Sequence, residues 1–167
     1  NPLSREMAVL RTSLLPSLLQ SVAYNRRHQV EHIALYELQR VFIPGPLGEL
    51  PDEQLTLAGA IAGASAKHWS TDDAGPDLYD VKGIVEALLE EVGIADGSLE
   101  RSDSGTLHPG RSATLSVGGE EVGFLGEVHP DVLQNYGLTQ RVYVFSVNVD
   151  RLAAHGDPTR WMDQLPP

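Results

Sequence analysis

Apolar and polar positions alternate along this chain with two different periods, and the periods divide it into elements. From Ser13 the apolar residues Leu15, Leu18, Leu19 and Val22 recur with the spacing of one helical face, widened by Leu14 and Tyr24. Ser13 is the expected N-cap, and Pro16 in the first turn loses no hydrogen bond. The helix should end at Asn25-Arg26-Arg27-His28, where cations suit the negative end of its dipole. Residues 32–43 then read as a strand closed by Pro44-Gly45-Pro46. A polar loop over 47–54 leads to a second apolar run, 55–64, whose small residues suit a strand packed closely on both faces. The two runs form a long hairpin, and 65–76 is a loop with Trp69 as its large apolar group.

The spacing of Leu78, Val81, Val85, Leu88 and Val92 predicts a helix over 77–92. Asp77 and Asp80 form a capping box at its start, and Gly93 stops it. Residues 112–125 read as a hairpin around Gly118-Gly119, a pair suited to the positive φ angles of a two-residue turn. That turn pairs Val117 with Glu120, Leu115 with Val122 and Ala113 with Phe124 on a buried face. Thr114, Ser116, Glu121, Gly123 and Leu125 are left on the other. A short helix over 131–136, a strand over 141–149 and a helical turn over 150–154 complete the order. The expectation is an α+β domain with a largely antiparallel sheet flanked by helices.

Composition adds bounds. The 167 residues are 41% apolar and 21% charged, enough for one globular domain with a core. No apolar run reaches the roughly 18 residues of a membrane helix, and no signal-peptide pattern is present. The chain has no Cys, which excludes disulfides and thiol chemistry. It opens on Asn and closes on Leu165-Pro166-Pro167, as a piece of a longer polypeptide would. The domain is expected to span 1–155, with 156–167 a linker.

The net charge of −11 argues against a broad nucleic-acid grip by this domain. The charge is uneven, however. Residues 1–44 carry five Arg against three Glu, whereas the rest carries seven cations against twenty acids.

Candidate chemistry is sparse. His28 and His32 are four apart, but the helix end falls between them and no HExxH pattern surrounds them. His108 and His129 each precede a proline at a hairpin end and could approach each other, with a turn-stabilising role expected. No GxSxG elbow, P-loop or GxGxxG turn is present. Three readings remain: a structural and interaction domain, a small-molecule sensor, and a metal enzyme built on the four histidines.

Several blocks, in order along the chain, resemble the core domain of the bacterial phenylalanine–tRNA ligase β-subunit family. They are Asn1-Pro2-Leu3-Ser4, Leu10-Arg11-Thr12-Ser13-Leu14-Leu15-Pro16, Leu35-Tyr36-Glu37 with Arg40-Val41-Phe42, and Asp77 to Gly83 including Asp80 and Lys82. Leu107-His108-Pro109-Gly110-Arg111 and Gly126-Glu127-Val128-His129-Pro130 complete the set. The resemblance implies a class II aminoacyl-tRNA synthetase-like fold that is catalytically silent. Within this chain it implies no catalytic, cofactor-binding or metal residues. ATP and Mg2+ are implied for the holoenzyme, an (αβ)2 heterotetramer in the cytoplasm. There the α subunit attaches phenylalanine, other domains handle tRNA, and no membrane is involved.

It also implies structural roles for Arg40 and for Arg151, which faintly echoes the end of motif 3. The first helix is placed where class II enzymes carry their dimerising motif 1. Leu14, Leu15, Leu18, Leu19, Val22 and Arg26 are therefore expected at the subunit interface, with an apolar strip exposed when the domain stands alone. A charge at Leu18 or Leu19 should then abolish pairing and spare the fold. The alternative within the same resemblance is a stand-alone paralogue sensing an amino acid or adenylate.

Overall fold

The computed structural model describes residues 9–64, 75–102 and 104–156. The Asn1-Pro2 block, the 65–74 part of the expected loop with Trp69, and the expected linker beyond Gly156 lie outside these. A six-stranded antiparallel sheet runs in the order β1-β2-β6-β5-β4-β3. Its strands are β1 (His32–Ile43), β2 (Asp52–Gly63), β3 (Ser98–Arg101), β4 (Leu107–Val117), β5 (Glu120–Val128) and β6 (Val142–Asn148). Helices α1 (Leu15–Arg27) and α3 (Pro130–Asn135) cover one face. Helices α2 (Leu78–Glu91) and α4 (Val149–His155) cover the other.

β6 is buried on both faces and divides the core. Val142 and Val144 point toward α1 and α3, whereas Tyr143, Phe145 and Val147 point toward α2 and α4. Alternation along one strand thus feeds two apolar clusters, as the period-2 geometry requires.

The strand and helix expectations for 32–43 and 77–92 hold, capping box included. Asp77 accepts from the amides of Tyr79 and Asp80, and Asp80 accepts from the amide of Asp77. Three local expectations are corrected. Leu14, not Ser13, is the N-cap of α1; the Ser13 hydroxyl accepts from Leu15 N at 3.2 Å, one residue too early to cap. β2 begins at Asp52, inside the expected loop.

The third correction is the hairpin register. Val117 faces Glu120 and Ser116 faces Glu121, but Leu115 then faces Gly123, and Ala113 faces Leu125. Val122 is the extra residue of a β-bulge, and one inserted residue sends every later side chain to the opposite face. Leu125 therefore joins Leu115, Val117 and Val122 beneath α2, and Phe124 packs against the α1 cluster. Gly123 permits this because its backbone lies against Ser146 O and Val147, where a Cβ would collide. β3 carries one partly buried apolar residue, Leu99, and has no periodic signal to announce it.

Candidate functional site

The largest difference from expectation lies on α1. Leu14, Leu15, Leu18, Leu19, Val22 and Ala23 are each at most 5% exposed, and all belong to the cluster against β1, β2 and β6. The leucine stripe is spent inside the chain, because the central strands present Ala58, Ala60, Ala62, Val142 and Val144 to it. Of the expected stripe only Tyr24, 61% exposed, reaches solvent. Arg26 is half-buried and donates to Val30 O at 2.8 Å, closing the turn after the helix. Pro16, Gln20, Ser21, Tyr24 and Arg27 are what α1 shows to solvent.

Two ion-paired nodes bring together sequence blocks that are far apart in the chain. In the first, Arg11 Nη1 donates to Glu37 Oε1 at 2.6 Å, and Ser17 Oγ donates to Glu37 Oε2 at 2.7 Å. Arg11 Nε also reaches Arg40 O at 3.3 Å, and Phe42 N donates to Arg11 O at 2.8 Å. The approach to α1 is thereby fastened to β1. In the second, Glu127 is 3% exposed and holds both oxygens near Arg111 Nη1, at 2.8 and 3.0 Å. Arg141 Nε lies 3.8 Å from the same carboxylate. The hydrogen bond that Arg111 donates to Glu127, and then the charge of Glu127, raise the Arg111 pKa above the ordinary value. Neighbouring Tyr143 is pushed up chiefly by burial.

The two His-Pro sites meet as expected, with ring centroids 6.4 Å apart. His129 Nδ1 accepts from Asp131 N at 3.2 Å and caps α3, and His108 Nδ1 bonds Pro109 O at 2.8 Å. Both histidines hold turns. His28 ends α1 and stacks on Tyr24, while His32 begins β1 and bonds Ala64 O. Among the described residues no group of three or more His, Cys, Asp or Glu is arranged to hold a metal. Pro16 stands in the first turn of α1, Lys82 pairs with Glu86 at 3.3 Å on α2, and Gly83 faces open space. Pro109 and Gly110 precede Arg111 at the start of β4, and Pro130 opens α3.

The Phe145 ring occupies the space a side chain at Gly59 would need. Arg151 is drawn to the hairpin tip, with Nη1 to Glu121 O at 2.9 Å and Nε to Glu120 Oε1 at 3.4 Å. The edge strand β1, with Tyr36 opposite Gly59, leaves Tyr36 79% and Leu38 49% exposed. Leu38 faces Leu57, so this apolar strip lies on the α2 side of the sheet. Sequence reasoning missed the strip because its alternation hides which side is covered.

A family model described as the phenylalanyl tRNA synthetase beta chain CLM domain matches residues 1–149. A phenylalanine–tRNA ligase beta subunit of Symbiobacterium thermophilum is 44% identical over 145 residues, which is 86% of this chain and 16% of the relative. That of Geobacter sulfurreducens is 40% identical over 154 residues, covering 91% and 19%. That of Dehalococcoides mccartyi is 40% identical over 166 residues, covering 99% and 20%. The chain thus spans a fifth or less of the length of these curated relatives. Among solved structures, a pyrrolysyl tRNA synthetase from Desulfitobacterium hafniense superposes with a TM-score of 0.66 at 15% identity, over 85% of this chain and 48% of that one. That likeness is one of fold, and the fold is the class II synthetase type. With a family model matching residues 1–149 and relatives 40–44% identical over most of its length, the chain belongs to the phenylalanyl tRNA synthetase beta chain family, as its CLM domain.

Proposed function

We propose that this domain is a catalytically silent core of a phenylalanine–tRNA ligase β subunit, paired with an α subunit in an (αβ)2 assembly in the cytoplasm. The α subunit attaches phenylalanine with ATP and Mg2+, and this domain supplies a scaffold rather than reacting groups. The observation that carries the reading is the use made of Phe145 and Arg151. Phe145 closes over Gly59, and Arg151 is committed to Glu120 and Glu121. A nucleotide needs open backbone and free cations there.

The surface assigned to the α subunit is the Tyr36 and Leu38 strip, since uncovered apolar side chains on a well-formed sheet mark association sites. In the test, the chain is co-expressed with a tagged α subunit, and phenylalanine-dependent ATP–pyrophosphate exchange is measured with each alone and together. The chain alone should give no exchange, the wild type should co-purify, and Leu38→Asp should release it while keeping the wild-type circular dichroism. Exchange by the chain alone, or retention of the Leu38→Asp variant, overturns the reading.

A further inference from the structure

Helix α4 delivers the chain to the end of helix α2. His155 packs on the backbone of Gly118 and lies 3.4 Å from Glu120 Oε2, which fixes the last turn of α4. A Cβ on the next residue, Gly156, would stand 3.2 Å from the carbonyl oxygen of Val92, the C-cap of α2. Gly93, which follows Val92, lines an open cleft of about 310 Å³. The buried Leu89 and Ile94 form the floor of this cleft, and the exposed Glu86, Glu90, Ala95 and Gly97 form its rim. Glycine at 97 keeps one side open, since a Cβ there would meet Leu89 Cδ1 at 2.6 Å.

The cleft and its surroundings select an apolar group flanked by a cation. The floor is apolar, whereas α2 carries Glu90 and Glu91 in its last turn and no basic residue there. Acids are the wrong sign for the negative end of a helix, so a cation brought from outside the helix is favoured at this end. Residues 157–167 hold such a combination in Arg160-Trp161-Met162. Trp161 is five residues beyond Gly156, and five extended residues span up to about 17 Å, ample for a cleft that begins one residue from Val92. An indole is largely apolar, and its N–H can donate to a carboxylate on the rim. The other tryptophan, Trp69, belongs to the segment that enters α2 at its first turn, roughly 20 Å from the last.

We propose that residues 157–167 fold back onto the end of α2, with the Trp161 indole seated on Leu89 and Ile94 and Arg160 beside the acids of the last turn. The occupant of the cleft is this chain's own tail, which is then a docked strap rather than a free linker. On so short a tether the effective concentration is of millimolar order, so a single buried aromatic side chain suffices to hold the strap in place. A polypeptide continuing past residue 167 would then leave the core from the α2 side in a set direction.

The test uses Trp69→Phe, which leaves Trp161 as the sole tryptophan of the 167-residue chain, and reads its emission and its quenching by acrylamide. Trp161 should emit at shorter wavelength than in a synthetic peptide of residues 157–167, with a quenching constant several-fold lower. Ala95→Arg fills the cleft from an exposed position and should return both values to those of the peptide while keeping the far-ultraviolet circular dichroism. Glu86→Arg, which opposes Arg160 from the exposed rim, should raise quenching in part, and adding Arg160→Glu should restore protection. Quenching in the parent equal to that of the peptide, or protection that neither Ala95→Arg nor Glu86→Arg disturbs, overturns the proposal. So does protection that falls on dilution, which would put the tail of a second copy in the cleft.

Discussion

Glu127 shows how a single carboxylate can order one end of the sheet. Buried at the end of β5, it is tolerable only because Arg111 and Arg141 compensate its charge. Tyr143 lies within the same group, and burial is the main cause of its raised pKa. The linkage sign follows from that direction. The folded state holds the phenolic proton longer than the unfolded chain does, so this contribution to stability is complete below the ordinary tyrosine value near 10. It is lost as pH rises from there through the folded pKa. In a spectrophotometric titration, Tyr143 should therefore ionise above the ordinary tyrosine value and together with unfolding. Tyr143→Phe should remove that late component and flatten the alkaline fall in melting temperature; an unchanged alkaline limb would contradict it. None of this was legible in the sequence. Arg111, Glu127 and Arg141 are ordinary surface residue types, and only the register of β4, β5 and β6 makes them neighbours.

Element by element, legibility depends on whether the signal is local. Helix α2 was readable because its cap, stripe and stop all lie within one stretch. The β4–β5 hairpin was readable up to its bulge, since turn chemistry fixes the pairs beside Gly118-Gly119 but not an extra residue at Val122. Helix α1 was readable as a helix and not as to what it faces, because a leucine stripe looks the same against a sheet or a partner. Its leucines pack on the sheet. Leu19 is 1% exposed and Leu18 is 4%, so an aspartate at either position places a carboxylate in the core without a partner. Leu19→Asp should cost more than about 3 kcal/mol and leave the chain largely unfolded, as read by near-ultraviolet circular dichroism and urea titration. A folded Leu19→Asp that merely fails to pair would restore the interface role of the stripe.

At the scale of the whole molecule, the two apolar clusters are joined by β6. Val144 and Phe145 are neighbours in the chain, yet they serve opposite faces of the sheet. Loosening one cluster therefore withdraws support from the strand that backs the other, and the clusters should melt together. Leu19→Ala in the α1 cluster and Leu115→Ala in the α2 cluster each remove a side chain that is 1% exposed. Each should cost about 3 kcal/mol. Because the sites lie in separate clusters on either side of the sheet, the losses should add in the double variant to within about 0.5 kcal/mol. The denaturant slope should stay at the wild-type value, since the same surface is exposed on unfolding. Two resolved transitions, one shifted by each substitution, would instead show two independent halves. A single transition, moved by either cavity, is the behaviour of a scaffold whose helices and sheet faces are held in one fixed relation.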